Sequence, residues 1–527
     1  MKRIMFLMLV TVMFISIVGC TDSSSSNTQS STNESSEKKN EKTAVIALGS
    51  DPVHFNPNVG DGGSGYVTSN VLSSLITQDD GFNILPDLAE SWDISEDGKI
   101  YTFHLQKDVK WHDGEPFKSK DVKWTIDEII EKKGFIVNQL GSIKEITCPD
   151  DQTVVIELKE PNAAILSILS GAVIMPSHLY EGTDWVENSV NQHPIGTGPF
   201  KFVEHKRGIS VTLEANKDYF KGAPKIDKLV FSVIPDENTV VQSFLNGEVD
   251  VIDYSSAITP AAVPSLEKTE GVKVVKTLSN SRQYMIANLE KKPWNDVRVR
   301  EALAYAIDRD ELVKKAHKGY AWRAEGFYTP AVEWAYNDKD VMPERDVEKA
   351  KQLLDEAGLT PDKNGVRLKD IEILIFQFPV FTDIAKVVQS NLKEIGIETT
   401  ISTLEYSAWD EKVRNGDFEL TILGGNHGID PEGLFVRVGT GGAMNLMHYS
   451  NPEIDRLLAE GLKTADQDER AVIYKEIQKI MSEEYPVLPL TEWMYIFVMK
   501  DYISGHPIDD GIGKVGGAEY SILDVNK

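Results

Sequence analysis

The chain has 527 residues, with 82 acidic side chains against 55 basic ones and a formal net charge of −27. A balance this acidic excludes a nucleic-acid-binding surface or a basic membrane-hugging face as the organising feature of the molecule. Cys20 and Cys148 are the only cysteines, so stability must come from large apolar cores rather than a disulfide framework. The length suffices for two or three such cores.

The first twenty residues read as a processing signal. Lys2 and Arg3 precede an almost unbroken apolar run, Ile4 to Val18. That run is shorter than the roughly 20 residues that span a bilayer. It ends in Ile17-Val18-Gly19-Cys20, which resembles a bacterial lipobox. Residues 1–19 are therefore expected to be a lipoprotein signal peptide, and Cys20 the lipidated N-terminus of the mature protein. Thr21 to Thr43 has no aromatic or aliphatic residue and cannot bury enough surface to fold, so 20–43 reads as a disordered tether. A diacylglyceryl group on Cys20 would supply the two chains that stable anchoring needs.

After the tether the texture is strand-rich. Trp92 to Ser95 and Ile100 to Leu105 alternate around Glu96-Asp97-Gly98-Lys99 and predict a β-hairpin. Asp93 to His104 superficially matches a calcium loop, but Ser95 at its third position and His104 in place of the final Glu exclude calcium. Asp121 to Lys132 turns helical, with Val122, Ile126, Ile129 and Ile130 on one face. Cys148 sits at an expected strand end without a neighbouring base and reads as an inert thiol. Strands are expected at Thr153 to Leu158, Ile209 to Leu213, Leu229 to Ile234 and Tyr495 to Met499. From Asp296 onward helices alternate with strands. Val299 to Lys315, Val347 to Ala357, Ala385 to Ile395, Pro452 to Leu462 and Asp468 to Met481 read as helices, with strands at Ile371 to Phe376 and Phe418 to Leu423. That alternation predicts an α/β lobe.

The sequence has no phosphate-binding Gly-x-x-x-x-Gly-Lys-Ser/Thr loop, no Gly-x-Ser-x-Gly elbow and no His-Glu-x-x-His. Its ten histidines lack metal-ligand spacing. No cofactor is expected, and an enzyme is not.

Other stretches carry a resemblance. Leu85-Pro86-Asp87-Leu88-Ala89-Glu90-Ser91-Trp92, Tyr101 to Leu105, Val109-Lys110-Trp111-His112-Asp113-Gly114 with Phe117 and Asp121-Val122, Gly196-Thr197-Gly198-Pro199-Phe200, Asn246 to Asp250, Asp296 to Arg309 and Tyr449 to Asp455 follow one another in order. Together they resemble the family 5 bacterial extracellular solute-binding proteins, the peptide/nickel-binding group. The resemblance implies an α/β, two-lobed periplasmic-binding-protein-like clamshell of the class II, large cluster C type, with an extra inserted subdomain. The implied layout is lobe I from 44–75 with 185–280 and 485–527, an inserted subdomain at 76–184, and lobe II at 281–484. It further implies a monomeric, lipid-anchored protein on the extracytoplasmic face, handing a small ligand to an ABC permease and its ATPase subunits. Peptide is the leading ligand class. Nickel or a metal–chelator complex is the alternative, a sugar-type ligand stays open, and a chaperone or adhesin role on the same scaffold is a minor third reading.

Most motif residues read as architecture: Trp92, Trp111 and Phe117 as core, Arg298 and Arg300 as an ion-pair cluster with Asp308. Ligand contacts are expected on the glycine-rich loop Gly424 to Pro431, where backbone can approach a ligand closely. In peptide-binding relatives an aspartate three positions before the residue preceding this proline pairs with the peptide's α-amino group. Here that slot holds His427. Asp430 could take over the amine or cap a turn. Asn426 shares the loop, Arg437 offers a carboxylate fork, and Trp409 and Tyr406 could line the pocket or pack. Asn56 and Gly60 to Tyr66 are weaker candidates from the first lobe.

Overall fold

The computed structural model describes residues 41–59, 65–79, 82–134, 136–253, 258, 261–426, 428, 430–506 and 519–527. Cys20, His427 and Gly60 to Ser64 therefore lie outside the described residues. From Glu41 onward the chain forms a single compact unit.

Its frame is a mixed sheet of eleven strands among the described residues. Two long strands form its spine. Val272–Ala287 runs antiparallel to Leu488–Lys500, both cross from one half of the sheet to the other, and the short strand Ala321–Arg323 also pairs with Leu488–Lys500. On one side of this spine lie Val251–Ile252, Thr43–Leu48, Lys228–Val233, Ser210–Ala215 and Phe200–Lys206 in spatial order. On the other lie Leu420–Asn426, Leu368–Phe376 and Ile397–Leu404, mutually parallel. Helices cover these three, which gives the α/β architecture expected from the alternation after Asp296.

The spine is irregular where the two halves meet. Leu278 pairs with Met494 and Arg282 with Glu492, so Ser279, Asn280 and Ser281 face Trp493 alone. A bulge of this kind bends a strand and re-aims its side chains. All three bulge residues are buried. Separate apolar cores flank the spine. One is built from the Tyr284-to-Leu490 half, the other from the first strands together with a four-stranded antiparallel sheet, Ala89–Ile94, Ile100–Leu105, Thr153–Leu158 and Ile143–Asp150. Phe82, within the segment expected to be an inserted subdomain, is buried in the first of these cores.

Several elements differ from the periodicity reading. The helix expected over Val299 to Lys315 is two helices, Val297–Ala306 and Arg309–Lys315. Asp308 causes the break: its backbone is extended and its carboxylate accepts the Glu311 N–H at 2.8 Å, starting a new helix. Arg298 pairs with Asp296 instead of Asp308, and Arg300 donates to the carbonyls of Glu484 and Trp294. The helix expected from Ala385 begins at Pro379, a residue suited to a first turn because it has no N–H to leave unpaired. The strand expected over Phe418 to Leu423 runs to Asn426, so the loop begins later than its glycines suggest.

The signature motifs are architecture. A Cβ on Gly196 would stand 1.8 Å from the Val71 carbonyl oxygen, so only glycine permits that approach. The His112 ring holds the same turn: its Nε2–H donates to Gly198 O at 3.0 Å, and its Nδ1 accepts the Gly196 N–H at 3.2 Å. Burial pushes His112 down to about 4, which keeps the neutral tautomer this clamp needs. Trp111 and Phe117 are buried edge to face, 5.9 Å apart, whereas Trp92 is half-buried. Buried Asp121 accepts from Lys118 N–H at 2.9 Å and from the Trp111 indole at 3.4 Å. Cys148 donates to the Ser119 carbonyl, and burial raises its thiol above the ordinary range.

Candidate functional site

Because Leu368–Phe376, Ile397–Leu404 and Leu420–Asn426 are parallel, their carboxyl ends share one edge of the sheet. In open α/β sheets ligands bind in the crevice outside such ends. Each of these strands runs out into a segment with its own chemistry. Phe376 leads to Phe378 and Phe381, Leu404 to Tyr406 and Trp409, and Asn426 to the 426–431 loop.

The first two groups form an aromatic wall. The Phe376 ring lies 5.2 Å from Tyr406 at 90° and 4.9 Å from both Phe381 and Trp409. Phe378 reaches Trp493 on the spine, opposite the bulge, at 6.0 Å. Tyr406 is 53% exposed and Phe378 39%, an unusual outlay of ring surface to water. Trp409 is different: it is buried, and its indole N–H donates to Thr421 Oγ1 at 3.0 Å. It supports the wall from behind.

The third strand offers main chain. Leu420–Asn426 pairs along its whole length with Ser281 to Ala287, but its other edge meets Leu368–Phe376 only at Leu420 and Thr421. From Ile422 to Asn426 that second edge has no partner strand among the described residues. Gly424 and Gly425 keep side chains away from it. A Cβ at Gly424 would also press to 2.9 Å on the Arg282 carbonyl oxygen.

Beyond the edge the loop is held by its own bonds. Exposed Asn426 accepts the Gly428 N–H on its side chain at 2.7 Å and a guanidinium N–H of Arg437 on its carbonyl at 2.5 Å. Arg437 also donates to Gly433 O of its own helix at 3.1 Å, so two of its nitrogens are already engaged. Asn280 of the bulge donates to Gly428 O at 3.0 Å. Asp430 is buried and committed: Arg470 donates to both of its oxygens at 2.6 and 2.8 Å, and the Glu432 N–H reaches it at 2.9 Å. Trp334 and Tyr474 lie 5.3 and 5.4 Å from the Arg470 guanidinium. Ser167 donates to the same carboxylate at 3.3 Å. The bond from the Glu432 N–H makes Asp430 a cap on its own turn. Asn56 is buried and binds the Asn58 N–H of its own turn at 3.1 Å.

At the root of the crevice Arg282 and Glu492 form an ion pair across the spine, both about 1% exposed. Burial outweighs the attraction of Arg282 and pushes the Glu492 carboxyl up to about 7. Sequence reading missed this pair, together with Phe376, Phe378, Trp493, Arg470 and Asn280. The alternation of aromatic and polar residues at Phe376-Gln377-Phe378 was the one local signal that could have flagged the wall. Among the described residues, no three His, Cys, Asp or Glu side chains group as metal ligands.

Comparison with known proteins places this crevice in context. The sequence pattern of "Bacterial extracellular solute-binding proteins, family 5 Middle" matches residues 83–445. The oligopeptide-binding protein AppA of Bacillus subtilis is 31% identical over 92% of this chain and 93% of its own length. The dipeptide-binding protein of Escherichia coli is 28% identical over 89% and 92%. Among solved structures, the substrate-binding protein CtaP of Listeria monocytogenes superposes with a TM-score of 0.82 at 26% identity, covering 92% of this chain and all of its own. Bacillus subtilis AppA in complex with a nonapeptide gives 0.72 at 27%, covering 92% and 100%. NikZ of Campylobacter jejuni in complex with Ni(L-His) gives 0.73 at 27%, covering 91% and 97%.

Proposed function

The chain belongs to the bacterial extracellular solute-binding proteins, family 5, substrate-binding components of ABC transporters rather than enzymes, and on that premise we propose that its ligand is a peptide bound in an extended conformation. The observation that carries this reading is the open edge at Ile422 to Asn426. An extended peptide can add to it as a further strand, with main-chain hydrogen bonds supplying affinity independent of sequence. The wall of Phe376, Phe378 and Tyr406 then offers apolar surface to the peptide's side chains.

Capture involves closure of the two lobes about the crossing strands, with 44–75, 185–280 and 485–527 in one lobe, 281–484 in the other, and 76–184 as the insert. A ligand drives such closure only through better contacts with the closed state. His427 and Asn426 remain the polar candidates on the loop, with Arg437 on the helix that follows it and Tyr406 on the wall. In this reading Asp430 and Trp409 hold the site from beneath. The protein works as a monomer, tethered by lipid on Cys20 at the extracytoplasmic face, and delivers its ligand to a membrane permease. No helix among the described residues is long and apolar enough to cross a membrane.

Calorimetry with alanine-based peptides of two to nine residues tests the ligand class. Binding is expected, with a roughly 10-fold or greater loss when one central amide is N-methylated. Binding of nickel–histidine with no response to any peptide would replace this reading with the metal-complex one. For the anchor, Cys20→Ala is expected to move the protein from the membrane to the soluble fraction. An unmodified wild-type N-terminus would reject the lipid.

A further inference from the structure

Behind the ligand loop, within the core of the second half, lies a small cavity that the crevice does not use. Its walls include the apolar side chains of Phe327, Leu434, Met447 and Met481, with half-buried Met444 beside them. Three polar side chains break this apolar lining: Arg282 from the spine, Arg437 from the helix Gly433–Val438, and Tyr284, whose hydroxyl lies within hydrogen-bonding reach of the Arg437 guanidinium. Arg282 is 1% exposed, and its outer nitrogen is engaged by Glu492 and Gly326 O, yet its Nε–H has no hydrogen-bond partner within the protein. Arg437 spends its two outer nitrogens on the carbonyls of Gly433 and Asn426, and its buried Nε–H likewise has no partner.

Two unpartnered guanidinium N–H groups on one apolar cavity are a costly arrangement unless an acceptor joins them. The chemistry selects the acceptor. The carbonyls of Gly433 and Asn426 are neutral, so the hydrogen bonds of Arg437 bring no carboxylate against its guanidinium. A cation is excluded by the two arginines. A water could accept both bonds but would supply no countercharge. We propose that this cavity is a binding site for a small monovalent anion, chloride in the native setting, held between Arg282 Nε and Arg437 Nε. Because Arg437 also fixes the Asn426 carbonyl, the bound anion would stiffen the base of the ligand loop. The assignment is independent of whether the ligand is a peptide.

The experiment uses the purified mature protein without added ligand. Melting temperature is measured in sodium chloride, sodium bromide and sodium gluconate at equal ionic strength, so that general screening is held constant. Chloride and bromide are expected to raise it by about 2–4 °C over gluconate. Arg437→Gln should remove the difference. If that variant does not fold, Met444→Trp, which enlarges a side chain lining the cavity and leaves both arginines, should remove it as well. Crystals grown in bromide should show an anomalous peak between the two Nε atoms. Equal melting in all three salts, or a bromide crystal with no such peak, would overturn the assignment and leave a water-filled cavity.

Discussion

The segment Leu85 to Val122 with the turn at Gly196 to Phe200, and the carboxyl-end edge carrying Phe376, Tyr406 and Asn426, are under opposite physical constraints. In the first, the inward-facing signature residues are fixed by partners elsewhere in the chain. His112 clamps Gly196 and Gly198, Trp111 reaches Asp121, and the Val71 carbonyl leaves no room for a side chain at Gly196. In the second, rings are left in water and a strand edge is left unpaired. The first region carries the recognisable sequence because packing tolerates few substitutes. The second must suit a ligand, so its residues carry the specificity and little of the signature.

The sharpest test of that contrast lies at Gly196. Gly196→Ala places a methyl group 1.8 Å from the Val71 carbonyl oxygen. Relief requires the clamp to His112 to open, and the expected loss exceeds about 4 kcal/mol. Chemical denaturation checks it. A variant that melts like the wild type would show that the turn can move, and that the first region is no more constrained than the second.

Asp430→Ala comes next, and it sits on the border between the two regions. Removing the carboxylate strands a buried Arg470 guanidinium. The expected cost is about 3–5 kcal/mol of stability, with ligand affinity at low temperature much less affected. Asp430→Leu combined with Arg470→Met should recover most of that loss. A stable Asp430→Ala protein that has lost affinity would return Asp430 to the crevice as a ligand contact.

The sequence made one of these regions far more legible than the other. The hairpin Ala89–Ile94 with Ile100–Leu105 and the strand Thr153–Leu158 follow directly from alternation. The spine strand Val272–Ala287 does not. From Thr277 to Gln283 it buries six polar residues, Thr277, Ser279, Asn280, Ser281, Arg282 and Gln283, and a polar run reads as loop unless its distant partners are known. The commitment of Asp430 was hidden for the same reason, since Arg470 lies 40 residues away. Tyr406 was legible as a candidate. Its pairing with Phe376 depends on the parallel register of two strands separated by a helix.

Tyr406→Ala should then separate affinity from stability. More than half of the side chain faces water and its hydroxyl is not needed by the core, so stability is expected to stay within about 0.5 kcal/mol of wild type. Affinity for a peptide bearing an aromatic side chain is expected to fall roughly 3- to 10-fold, the contribution of one good ring contact. An all-alanine peptide of the same length should lose less. Equal losses for both peptides would mean that the wall shapes the crevice without reading side chains.

The smallest effect is one of sign, and it distinguishes the two regions through pH. Burial depresses His112 from 6.5 to about 4 in the folded protein. The unfolded chain therefore takes up a proton first as pH falls, and the stability tied to the neutral ring, complete above 6.5, is lost towards 4. Buried His317, beside Thr491 on the spine and also near 4, acts in the same direction. Glu492 does the reverse. Its carboxyl is raised from 4.5 to about 7, so the unfolded chain ionises first as pH rises, and its contribution to stability declines from 4.5 up to 7. Between about 4.5 and 6.5 the two kinds of group oppose each other, and the wild-type profile should be flatter than either alone would give. His112→Asn, which keeps a side-chain amide donor for Gly198 O, is expected to lose less stability on acidification. Glu492→Gln should remove the decline towards neutral pH and leave the acid limb unchanged. Melting curves from pH 4.5 to 7.5 on the three proteins decide it. If Glu492→Gln leaves the slope between 4.5 and 7 unaltered, the carboxylate is ionised throughout that range, and the attraction of Arg282 outweighs the burial that surrounds the pair.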